Sequence, residues 1–409
     1  TYTIDLSNET NPTLYFYNKN AGTPASISNV SVKQVDRDNV PRIDYTGGGC
    51  PHILAEPQRT NLYPYSEDFS NAAWNKTNVS VTPNSTTSPQ GTINASLIKE
   101  NSANALHYIS DSISVTSGNS YSVSVFAKKK ERNVLQIILS LNFIAASYAN
   151  YDLATGVVSA TGGLVTAEIQ TLTNDWYKCK ITFTATSTQS GSPLFALQNS
   201  TTAARGAAYQ GDGTSGLYIY GAQVEEGSYP TSYIPTSGQS GGVTRNQDIF
   251  TRDGIGSLIN STEGVLFVEM AALSDDLTDR RISLNDGSVS NQIIIGYSRF
   301  TGNIIGEVFS GGSAQGSNWA ANGVTQTNNN KFALSWGSGT MKFYLNGLQT
   351  NIETGVTSPV GLNNLEFSIG NDTINMFAKV KQLQVYDTSL SDNQLIQLTG
   401  EAGTHFFES

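Results

Sequence analysis

Five aromatic side chains stand where they could do recognition chemistry: Trp74 in "NAAWNKTN", Tyr108 in "LHYIS", Trp176 opening "WYKCKITFTA", Tyr209 in "AAYQGDG" and Trp319 in "GGSAQGSNWAANG". A flat ring stacks on the apolar face of a sugar, and nearby amides read its hydroxyls. Asn71, Asn75 and Gln223 supply such amides. Each ring also has a plainer reading, as part of a core. Trp176 begins a strand-like segment, which favours the core, whereas Trp74 lies among polar neighbours and suits either place. Trp319 sits in a Gly/Asn/Ser loop, where an aromatic residue points more strongly to binding. Trp336, in the strand-like "FALSW", is read as core.

A second possible chemistry is calcium binding, which needs several oxygen ligands to converge. "NDG" at Asn285-Asp286-Gly287 and "GND" at Gly370-Asn371-Asp372 offer Asp286, Asn371 and Asp372 as candidates. Isolated Asn-Asp pairs more often serve turns, so calcium is a weak expectation and no cofactor is certain. Catalytic signatures are thin. "GDGTSG" (211–216) fits a glycine-rich dinucleotide pattern but precedes a strand instead of opening a helix. His52, His107 and His405 fall in unrelated segments, and neither a nucleophile elbow nor a zinc motif occurs. The chain is expected not to be an enzyme. A glycosidase-type carboxylate pair assembled only by folding stays open.

The elements that must position these residues are strands. Charged residues make up 14% of the 409-residue chain and there are 38 glycines. Short apolar runs separated by Ser, Thr, Asn and Gly indicate an all-β protein built of tandem antiparallel sandwiches. Tyr177, Cys179, Ile181 and Phe183 alternate with polar residues, which places Cys179 on the buried face of a strand. Cys50 lies in the connector "GGGCPHILAEPQRTNLYPYS" (47–66), and no disulfide between the two is expected. "KFALSWGSGTMKFYLNG" predicts a hairpin turning at Gly337-Ser338-Gly339. The single good helix signal is "SLSDNQLIQLTG", with Ser391 as cap and Gln394 three residues on. The net charge of −10 argues against nucleic acid, and no apolar run is long enough to insert in a membrane as a helix.

Three units are expected. Residues 1–39 parallel the end of the following sandwich and look like the terminal strands of an incomplete or partner-completed one. Residues 40–235 would form a jelly roll with an N-terminal connector, and 236–409 a second sandwich.

The segment from Val40 to Pro235, above all "EPQRTNL" and "YSE" (Glu56–Leu62, Tyr65–Glu67), resembles a module of tailed-bacteriophage tail-fibre and head-fibre proteins. There it introduces a carbohydrate-binding-module-like jelly roll. "KFALSWGSGTMKFYLNG" and "AKVKQLQVYDTSLSDNQLIQLT" are similar to laminin-G/concanavalin-like lectin domains. The resemblance implies a non-catalytic virion-surface protein that binds bacterial surface glycans, beside other virion proteins. Because single sugar contacts are weak and several copies gain by avidity, a homo-oligomer such as a trimer is the expected form. Unbridged cysteines are in keeping with assembly in the bacterial cytoplasm, the mature protein being exposed on the virion. The alternative is the carbohydrate-binding portion of a polysaccharide-degrading enzyme whose catalytic domain lies outside this chain.

Overall fold

The computed structural model describes residues 41–45, 50–236, 238–239, 241–299, 304–318, 323–371 and 373–400. The unit expected over residues 1–39 lies outside them. The protein is all-β, with antiparallel sheets stacked as two sandwiches and one α-helix among the described residues.

In the first sandwich the back sheet runs in the order Thr166–Thr171, Tyr177–Thr184, Ser120–Lys129, Gly216–Glu226, Ile93–Glu100, Val79–Thr87. The front sheet runs Val157–Gly162, Tyr148–Asp152, Val134–Ile138, Leu194–Gln198, His107–Ser110, Asn75–Thr77. Strand alternation decides what lies between them. Cys179 and Ile181 pair across the ladder with Val125 and Val123, and all four point inward against Leu135 and Ile137 of the front sheet. Cys179 is fully buried, as its place in the alternation predicts. Each such Ile, Leu or Val side chain removed from water contributes about 1.5–3 kcal/mol.

The second sandwich stacks a seven-stranded sheet containing Gly264–Ala272, Asn330–Gly337, Thr340–Leu345 and Ala378–Tyr386 on a six-stranded one centred on Arg280–Asn285 and Gln292–Tyr297. Its core gathers Leu266, Val268, Ile282, Ile295, Phe332 and Phe343 around Trp336. The hairpin turns through Ser338 and Gly339, with φ of 51° and 74°. That is the double positive-φ turn that suits the twist of paired strands. Asp392–Thr399 is the helix. Ser391 Oγ accepts from the Gln394 N–H while the Gln394 side chain accepts from the Ser391 N–H, and Leu395 docks on Phe267 and Tyr344.

The connector does not belong to the first sandwich alone. Arg42–Asp44 pairs with His52–Leu54, which pairs in turn with Ala378–Tyr386 of the second sandwich, with Ile53 opposite Val380, so the connector supplies the outer two strands on that side of the seven-stranded sheet. Arg59–Asn61 then pairs with Val243–Arg245, the segment that leaves the first sandwich. Asn61 is fully buried there. Its Nδ2 donates to the carbonyls of Ala222 (3.2 Å) and Ile234 (2.9 Å), and its Oδ1 accepts from Tyr63 and Val224, both at 3.2 Å. Ser66 and Thr236 exchange backbone-to-hydroxyl hydrogen bonds of 2.9 and 3.1 Å. The most specific stretch of the sequence is therefore a staple that closes the first sandwich onto its own exit.

Candidate functional site

Among the described residues, the sequence candidates do not assemble into one aromatic platform. Trp74 is 2% exposed. Its ring lies 4.9 Å from both Tyr63 and Phe69, and its Nε1 donates to the Tyr65 carbonyl at 2.8 Å. Its polar neighbours left core and surface equally open, and the structure places it in the core, with Asn71 occupied in a local turn, accepting from the Ala73 N–H. Trp176 is also buried, on the opposite side of the back sheet with Ala95, Phe126 and Tyr220, and its Nε1 donates to the Thr87 carbonyl at 3.0 Å. Gln223 is buried and accepts from the Ile234 N–H at 2.7 Å. Tyr108 is half-buried on the outward side of the front sheet, opposite Thr77 and Ala196. Trp319 and Asp372 lie outside the described residues.

Tyr209 is buried in a polar cluster rather than presented to solvent. Its hydroxyl donates to Glu100 Oε2 at 2.6 Å, and Arg132 lies over its ring at 5.3 Å. Arg132 grips the same carboxylate with Nε (2.8 Å) and Nη2 (2.5 Å), and its Nη2 reaches Asp212 at 3.6 Å. Burial pushes the Glu100 carboxyl up, but hydrogen bonds from Arg132, Tyr209 and the Asp212 N–H outweigh it, and the net shift is downward. Hydrogen bonds from Ser215 and Thr214 hold Asp212 down as well. "GDGTSG" is accordingly an Asp-capped turn leading into a strand, with Asp212 Oδ1 accepting from the Thr214 and Ser215 N–H groups at 2.7 Å each.

The calcium candidates are turn residues. Asp286 Oδ1 accepts from the Ser288 N–H at 3.0 Å, and Oδ2 from Asn291 Nδ2 at 2.8 Å. Asn371 accepts from the Thr373 N–H at 3.3 Å. Among the described residues no three acidic, His or Cys side chains converge as a metal site.

The concave opportunity lies elsewhere, beside the front sheet. The outward residues of that sheet's centre, Gln136, Asn150 and Gln198, are fully buried because the loop over residues 199–208 folds back across them. Asn150 Nδ2 donates to the Ala203 carbonyl (2.8 Å), Gln136 Nε2 to Ala204 (3.1 Å) and Gln198 Nε2 to Ala207 (3.2 Å). In return the Gly206 N–H donates to Gln136 Oε1 at 2.8 Å. Gly206 has φ of +63°, where an L side chain is strained, and a side chain there would project toward Leu106 and Ile138.

Between this loop, residues 138–142 and residues 191–194 remains a groove of about 600 Å³. Leu106, Ile138, Leu141 and Leu194 give it apolar walls, and Asn142 and Arg205 supply polar groups. The groove is shallow and open to solvent, with a lining that mixes apolar and polar groups. Leu141 is 65% exposed, an apolar side chain held out at the rim. Arg205 Nη2 donates to the Leu139 carbonyl at 2.7 Å, while its buried Nε has no hydrogen-bond partner among the described residues. Burial pulls the guanidinium's pKa below the usual arginine value, with no described carboxylate opposing the effect. The sequence did carry a signal for this site: Arg205 is the only charged residue between Lys180 and Asp212.

With this geometry in place, the fold can be set beside known proteins. No protein-family model and no curated protein matches the chain. Among solved structures, the CBM40 of a Ruminococcus gnavus IT-sialidase is similar at 15% identity and a TM-score of 0.31, over 37% of this chain and 99% of that one. Domains LG4-5 of the mouse laminin alpha1 chain give 11% identity and a TM-score of 0.25, over 93% and 97% of the two chains. A tail fiber protein from an E. coli phage gives 10% identity and a TM-score of 0.19, over 86% of this chain and 42% of that one.

Proposed function

We propose that the chain is a non-catalytic, glycan-binding protein of a bacteriophage virion surface, and that the groove beside the front sheet of its first sandwich is a sugar site. The observation that carries this reading is the groove itself. It joins an apolar wall to amide and guanidinium donors, the pairing that a saccharide's alternating apolar and hydroxylated surface requires. The resemblance over Val40 to Pro235 supports the virion setting. Glu100 and Asp212 share Arg132 and are held down, so this particular pair lacks the raised pKa that a glycosidase general acid needs.

Single sugar contacts are weak. Adhesion through several copies, gaining about 10²–10⁴ by avidity, fits a homo-oligomer such as a trimer. A glycan array probed with the intact chain, run beside a reducing-sugar release assay on the glycans it retains, tests the proposal. Retention without release is the expected result. Release of reducing ends would favour a polysaccharide-degrading enzyme, and no retention of any glycan would overturn the reading.

A further inference from the structure

We infer that the groove selects a carboxylated sugar, with the Arg205 guanidinium as the partner of the carboxylate. The inference rests on the reading of the groove as a glycan site and names the class of glycan.

A guanidinium carries five N–H groups in a planar fork and accepts nothing. At Arg205 one of the two η nitrogens is committed to the Leu139 carbonyl, while the other makes no hydrogen bond among the described residues. The Nε is buried without a partner, as it is in Arg59 and Arg245, so the free η nitrogen is the group that can meet a ligand. Arg42 is matched with Glu56 and Asp248, Arg132 with Glu100 and the buried Arg280 with Asp276. Arg205, like the half-buried Arg59, has no carboxylate within ion-pair distance among the described residues, and unlike Arg59 it lines a groove.

Position supplies the second link. Arg205 lines the groove together with Leu106, Ile138 and Leu194, which make a low-dielectric wall around the charge. A neutral sugar hydroxyl offers a single acceptor to such a fork. A carboxylate offers two oxygens at matching spacing and gains from the charge as well. The loop geometry holds the fork in place before any ligand arrives, because Gln136, Asn150 and Gln198 fix the backbone on both sides of residue 205. The apolar wall then faces the ring carbons of the same residue.

The test uses the intact chain and an array of oligosaccharides containing hexuronic or nonulosonic acids, each printed beside its carboxyl-reduced counterpart. The wild type is expected to prefer the acid over its reduced form by at least about tenfold. Arg205→Gln should abolish that preference while melting within a few degrees of wild type, and Arg205→Lys should restore only part of it, since lysine lacks the fork. Titration of ¹⁵N-labelled wild type with the retained acidic oligosaccharide should move the Arg205 Nε–H resonance, a readout that needs no variant to fold. Equal binding of acid and reduced forms, or retention of neutral glycans alone, would overturn the inference and leave the glycan reading standing. An Arg205→Gln variant that loses stability yet keeps the preference would also overturn it, assigning Arg205 to holding the loop. Binding of no glycan at all would remove both readings together.

Discussion

Glu56 of the connector and Arg245, which lies beyond the whole first sandwich in sequence, meet with Oε2 and Nη1 3.0 Å apart. The same oxygen lies 2.7 Å from Arg42 Nη2, and Glu56 Oε1 accepts from the Ser232 N–H at 2.8 Å. Asp248 completes the knot by accepting from the Glu56 N–H at 2.7 Å and pairing with Arg42. One carboxylate thus ties the strand that joins the second sandwich to the segment that leaves the first.

Removing that charge should loosen the junction. Breaking a buried ion pair by deleting one partner costs about 3–5 kcal/mol, and the partial exposure of Arg42 and Arg245 places Glu56→Gln near the lower end. Urea unfolding should show the loss, and limited proteolysis should newly cut within residues 236–248. An unchanged midpoint with unchanged proteolysis would show that backbone pairing alone holds the junction.

Trp74→Ala is a core truncation. It should cost about 3–5 kcal/mol by the lost burial and the cavity left among Tyr63, Phe69 and Phe195. Glycan retention by the fraction that remains folded should match wild type. A variant of wild-type stability with weakened retention would return Trp74 to the surface.

The two thiols should behave differently. Cys50 is exposed and Cys179 is buried, and burial pushes the Cys179 thiol far above the ordinary range. Since the thiolate is the reactive form, a maleimide at pH 7 should label one site in the native protein and two after denaturation without reductant. Fast labelling of Cys179 in the native state would contradict the packing of the back sheet.

Lys178 gives a pH signature. It is buried, donates to the Thr231 carbonyl at 2.7 Å and lies 5.7 Å from the Phe126 ring centroid. Burial lowers its pKa to about 8, against an ordinary value of 10.5. Between these values the unfolded chain binds more protons than the folded one, so this group's contribution to stability rises with pH from about 8 to about 10.5. The gain is of the order of 3 kcal/mol when complete. Lys178→Met should lack the rise, and the difference between the two proteins across pH 7.5–10.5, followed by chemical denaturation, isolates it from the titrating tyrosines. Parallel curves would show that the ammonium is better solvated than its packing indicates.

What the sequence determined by itself is what depends on neighbours along the chain. The alternation in "YKCKITFTA" put Cys179 inward, the pair Ser338-Gly339 accepted the positive φ of a hairpin turn, and Ser391 with Gln394 capped the helix. Strand period, turn backbone and cap are set within a few residues, so the all-β class was legible. The fate of individual aromatic residues was not. Trp74 in "NAAWNKTN" suits either core or surface by its neighbours and is buried, because burial depends on which distant surfaces close over a ring. The Asn61 amide donates to the Ala222 and Ile234 carbonyls and accepts from the Val224 N–H, all far along the chain, and accepts from the nearby Tyr63 N–H as well. The groove exists only because the loop over 199–208 returns across the front sheet and hands its carbonyls to Gln136, Asn150 and Gln198. A lone arginine in an uncharged stretch was visible in the sequence. Only the tertiary structure decided that it would line a groove without a carboxylate beside it, because pairing is a property of the space around a charge and not of its neighbours in the chain.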